Sequence, residues 1–134
     1  MLSPDKKNKI YTAIALAAEI CCKPFKYSVV CQEDNHKEID TFELNDDLIL
    51  ILECRDIEGK RIFDKDIELE IYKSGDDFNI MINWVLTKDE LVLWYGSHPV
   101  WINAQTGQRL SPANNTSTLE SLARRIRAIF VPLD

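Results

Sequence analysis

The sequence predicts an α+β domain: an N-terminal helix, a mostly antiparallel sheet of about six strands, and a C-terminal helix. Three observations carry this expectation. Apolar residues recur at helical spacing near each end of the 134-residue chain. Between them, apolar and polar residues alternate in short runs. Clusters rich in Gly, Asp and Asn separate those runs, which is the punctuation of hairpins.

The first helix starts at Ser3-Pro4-Asp5, where a capping oxygen precedes a proline in the first turn and an early acid. It is expected to run to about Cys22, with Ile10, Ile14, Ala17, Ala18 and Cys21 on its core stripe, and to stop at Lys23-Pro24. Phe25 to Cys31 alternates and reads as a strand. Gln32 to Asp40 is a polar loop, and a short strand is expected near Ile39 to Leu44. Leu48 to Leu52 is unbroken Leu and Ile, the pattern of a central strand covered on both faces. Asp56 to Lys60 turns the chain at Gly59. Ile67, Leu69 and Ile71 then alternate with acids, as in a half-exposed strand. After the turn Ser74 to Asp77, Phe78, Ile80, Ile82, Trp84 and Leu86 are expected on one face, opposite Asn79 and Asn83. Leu91 to Tyr95 forms the next strand, and Val100 to Leu110 a last hairpin turning at Gly107. Ser117-Thr118-Leu119-Glu120 fits a capping box ahead of the second helix, whose core stripe is Leu119, Leu122, Ala123, Ile126, Ile129 and Phe130.

The length suits one domain with a core of its own. No apolar run approaches the roughly 20 residues of a membrane span. The run Ile10 to Cys22, broken by Thr12 and Glu19, reads as a folded helix and not as a secretion signal, so the expected compartment is the cytoplasm. Cys21, Cys22, Cys31 and Cys54 show no CxxC spacing and are expected to be small buried hydrophobes.

The net charge of -6 is unevenly placed. Glu33 to Asp77 holds 16 acids and 6 bases, a net of -10; the remaining 6 acids and 10 bases give +4. An acidic chain lacks the basic footprint that nucleic acids and anionic membranes select, so neither is an expected partner. Cations and basic protein surfaces fit better. The acids concentrate in two stretches, Glu33 to Asp40 and Asp64 to Glu70. If the second is a strand, Asp66, Glu68 and Glu70 share one side, about 7 Å between neighbours. Mutual repulsion there would be relieved by an opposing base or a bound cation. Calcium takes six to eight oxygen ligands, which carboxylates and loop carbonyls supply. By local density the candidate ligands are Glu33, Asp34, Glu38, Asp40, Asp64, Asp66, Glu68 and Glu70. Glu33 to Asp40 lacks the central glycine and terminal glutamate of an EF-hand loop.

With its length, acidity, helix-sheet-helix layout and these two acidic stretches outside any EF-hand, the chain resembles the small cyanobacterial calcium-binding protein associated with heterocyst differentiation. That resemblance implies cytoplasmic calcium sequestration by clustered carboxylates, as a buffer or sensor. A second expectation belongs to another class: an acidic protein-interaction module, a chaperone- or adaptor-like homodimer or partner binder that holds no metal. Type III secretion chaperones are similar in size, acidity and terminal helices. Their middle helix is absent here, because Asp64 to Lys73 alternates like a strand. The aromatic-rich strands from Phe78 to Trp101 would then form the contact surface. The basic face Arg124, Arg125 and Arg127 is either a solvated helix surface or a dock for the acidic sheet of a second copy. No catalytic motif is present. His98 follows Ser97 directly, and adjacent side chains in a turn do not form a dyad, so no enzyme is expected.

Overall fold

A computed structural model describes residues 4–31, 48–74, 77–96, 98–111 and 117–130. Helix α1 (Pro4–Cys21) leads into strands β1 (Lys26–Cys31), β2 (Leu48–Arg55), β3 (Ile67–Ser74), β4 (Asp77–Trp84), β5 (Leu91–Tyr95), β6 (Pro99–Asn103) and β7 (Arg109–Leu110), and helix α2 (Ser117–Phe130) follows. The seven strands lie in chain order, each antiparallel to the next. This is the α+β class the periodicity predicts, with seven strands among the described residues where about six are expected. The strand expected near Ile39 to Leu44 falls outside the described residues.

Both helices pack on one face of the sheet. α1 meets β1 and α2, and α2 meets β4 and β5. Between the layers, Leu50, Leu52, Ile67, Leu69, Ile80, Ile82 and Leu93 from the strands meet Ile14 and Ala18 of α1 and Leu122, Ile126 and Phe130 of α2, all inaccessible to solvent. Burial of that apolar area, at roughly 25 cal/mol per Å², is the main force holding the layers together.

Two expectations change. The run Leu48 to Leu52 is not covered on both faces by the described elements: Leu48, Leu50 and Leu52 are buried, whereas Ile49 and Ile51 are half-buried. Their shelter comes from cross-strand neighbours, Ile49 beside Glu70 and Ile51 between Val30 and Glu68. Leu86 does not continue the β4 face. The chain leaves the strand at Val85 in a 3-10 turn, Val85–Thr87, and Leu86 is 69% exposed.

At the start of α2, Glu120 Oε2 accepts a hydrogen bond from Trp101 Nε1–H at 2.8 Å. That bond ties the start of α2 to β6. Among the described residues no helix is long and apolar enough to cross a membrane.

Candidate functional site

The second face of the sheet carries no described element. Strand alternation places Ile49, Ile51, Glu68, Glu70, Met81, Asn83, Val92 and Trp94 there, and the register sets them in rows. One row runs Ile49, Glu70, Met81, Trp94, Val100; the next includes Ile51, Glu68 and Asn83. Cross-strand neighbours on a face stand about 5 Å apart, so acids and apolar side chains interleave. A hollow of about 200 Å³ opens in this face, lined by Ile49, Glu68, Glu70, Met81, Asn83, Lys88 and Val92. Two carboxylates and one ammonium therefore border an apolar floor. Glu68 has no ion-pair partner among the described residues. Asn83 is buried and its Nδ2 donates to Trp84 O at 3.1 Å, which fixes one wall. The Trp94 indole N–H is buried with no acceptor among the described residues.

Of the four candidate ligands among the described residues, Glu68 and Glu70 come together on this face. Asp64 is exposed on a separate 3-10 turn, Phe63–Lys65. Glu33, Asp34, Glu38 and Asp40 lie outside the described residues. Asp66 departs from the expected row of acids. Its carboxylate is 9% exposed and sits in the plane of the sheet, where Oδ1 accepts the Cys54 backbone N–H at 2.8 Å. Arg61 grips the same carboxylate with both terminal nitrogens, Nη1 to Oδ1 at 2.8 Å and Nη2 to Oδ2 at 2.6 Å. Arg61 Nη1 also donates to Cys54 O at 2.7 Å, and its guanidinium lies 4.4 Å from the centre of the Phe63 ring. Burial alone pushes the Asp66 carboxyl upward, but the Arg61 fork and the Cys54 N–H outweigh it, leaving the group below the usual carboxylate range. Asp66 thus closes the end of the β2–β3 pair, with both carboxylate oxygens already engaged by Arg61 and Oδ1 also by the Cys54 N–H. Among the described residues no group of three or more His, Cys, Asp or Glu is placed to hold a metal ion.

A second surface lies on α1. Leu16 and Ile20, one helical turn apart, are 54% and 49% exposed. With Glu19, Lys23, Pro24, Phe25, Lys26 and Ile57 they border a cavity of about 440 Å³. Glu19 accepts the Tyr27 backbone N–H at 3.1 Å and lies 4.0 Å from Lys26 Nζ. The sequence carried a signal for this surface: α1 has apolar residues around most of its girth, more than one core stripe requires.

The four thiols are free. Burial pushes Cys21, Cys22 and Cys54 above the ordinary thiol value, so they stay protonated and unreactive near neutral pH.

No curated protein and no solved structure matches the chain. Residues 11–129 match the family described as DUF8659, a domain of unknown function, and the chain belongs to that family.

Proposed function

We propose that this domain is a protein-interaction module whose second sheet face, which no described element covers, takes a partner segment carrying apolar and basic side chains. One observation carries the proposal: the hollow in that face combines an apolar floor, Ile49, Met81 and Val92, with the carboxylates of Glu68 and Glu70. Apolar contact provides affinity, and the acids select the sign of the partner's charge. Calcium sequestration by the acidic stretches is the competing reading, and Asp66 is already committed to Arg61.

The test is calorimetric titration with a short synthetic amphipathic helix of leucine and lysine. The protein is first stripped with chelator, and the titration is repeated in about 1 mM calcium. Saturable binding is expected without calcium. The double substitution Glu68→Lys/Glu70→Lys should weaken it at least about tenfold, roughly 1.4 kcal/mol, and added salt should weaken it further. Calcium binding with defined stoichiometry, together with no response to the peptide, would transfer the function to cation binding.

A further inference from the structure

We infer that the cavity between the C-terminal end of α1 and the β2–β3 connection binds a small anionic amphiphile, an alkyl chain bearing one carboxylate. The inference goes beyond the interaction reading above, because this cavity shares no lining residue with the hollow on the sheet.

The cavity measures about 440 Å³ and the hollow about 200 Å³. Small-molecule sites run from roughly 300 to 1,000 Å³ and are mostly apolar with a few placed polar groups. Of the two, only the α1 cavity reaches that size. Its apolar lining comes from three places in the chain. Leu16 and Ile20 stand one helical turn apart on α1, Pro24 and Phe25 follow the helix end, and Ile57 belongs to the β2–β3 connection. Leu16, Ile20 and Ile57 are 54%, 49% and 73% exposed, although all three border one concavity. Apolar side chains left in water around a hollow gain from a ligand that fills it. The turn that carries Ile57 is already fixed. Asp56 Oδ1 accepts the N–H groups of Glu58 and Lys60, both at 2.9 Å, and Asp56 O accepts the Gly59 N–H at 3.0 Å. The site is therefore formed before a ligand arrives, which lowers the cost of binding.

Charge at the rim selects the head group. Three charged side chains border the cavity, Glu19, Lys23 and Lys26. Glu19 accepts the Tyr27 backbone N–H at 3.1 Å and pairs with Lys26 at 4.0 Å. Lys23 is exposed and has no ion pair among the described residues. The rim thus carries one uncommitted positive charge beside an apolar hollow. A chain with one negative end meets both, whereas a cationic end would be repelled. Lys23 also complements the negative end of α1, so the sign of the probe is the deciding variable.

Calorimetric titration with decanoate, kept far below its micelle-forming concentration, tests this, with methyl NMR to locate the site. One site is expected, with a dissociation constant on the order of 100 µM, within reach of a ligand of about a dozen heavy atoms. The methyl groups that shift should be those of Leu16, Ile20 and Ile57. Butyrate keeps the head without the tail, and decyltrimethylammonium keeps the tail with the opposite charge. Each should bind at least about tenfold more weakly. Lys23→Glu and Ile57→Ser should each weaken decanoate about tenfold or more. Neither should move the melting temperature, since both side chains are exposed. Glu68→Lys/Glu70→Lys should leave decanoate binding as it is, which separates this site from the peptide site whichever way the peptide titration falls. No saturable binding, equal binding of the cationic probe, shifts confined to methyl groups on the sheet's second face, or wild-type affinity in Lys23→Glu would overturn the inference. Concentration-dependent self-association that is lost in Ile57→Ser would overturn it too, by giving the cavity to a second copy.

Discussion

Replacing Asp66 with alanine is expected to cost about 3–4 kcal/mol of folding stability. The figure follows from what the carboxylate does. Cys54 N–H, inside the sheet, loses its acceptor at 2.8 Å, worth about 1–2 kcal/mol for a buried donor left unmet. Arg61 loses both its charge-assisted bonds. Breaking a buried pair by removing one partner costs about 3–5 kcal/mol, but the Arg61 side chain is 22% exposed and recovers part of that from water, leaving about 2 kcal/mol. Urea unfolding measures the loss directly, and a thermal melt should fall by about 10–15 °C. The pair should also show itself through pH. In the wild-type protein the folded-state value of Asp66 is depressed. Its contribution is therefore fully present above the unfolded value, about 3.9, and is lost as the pH falls through the folded one. In Arg61→Met the burial remains and the partner is gone, so the folded value should rise above the unfolded one. That variant should lose stability as pH rises from about 4 towards 7, opposite in sign to the wild-type contribution. An Asp66→Ala loss below about 1 kcal/mol, or single losses that simply add in the double variant, would refute the account of a coupled plug.

Two further substitutions probe the frame that positions the open face. Tyr27→Phe removes the bond from the buried Tyr27 hydroxyl to Lys65 O at 2.8 Å and should cost about 1 kcal/mol, read by urea unfolding; a change within error would mean that the ring's packing alone holds the turn. Gly96→Ala puts a Cβ 2.8 Å from Asn79 Oδ1, and because Asn79 is 8% exposed and has little room to swing away, a loss of about 1–3 kcal/mol is expected in thermal melts.

The sheet was legible wherever one face was polar. Ile67, Leu69 and Ile71 alternate with Glu68, Glu70 and Tyr72, and the structure buries the first three and half-exposes the rest. In Leu48 to Leu52 the alternation was hidden, because Ile49 and Ile51 are apolar on the open face as well. Period alone cannot separate that case from burial on both sides. Asp66 continued the acid alternation of its stretch, yet its role is set by Arg61 and by a backbone donor twelve residues upstream, and such a meeting leaves no trace in local pattern. The exposed apolar side of α1 was visible as an excess of apolar residues. It reads as core until packing shows which stripe the sheet has taken.

The strands follow one another in space as they do in sequence, so each hairpin can form from neighbouring segments alone. The helices break that locality. α2 is the last described element, yet it covers β4 and β5 in the middle of the sheet and also rests on α1. During synthesis the apolar side of β2 to β5 therefore stays unroofed until residue 130 has left the ribosome. A growing chain of this kind has good reason to meet a holdase chaperone, and a truncation before α2 should yield an aggregating sheet in place of a smaller stable domain.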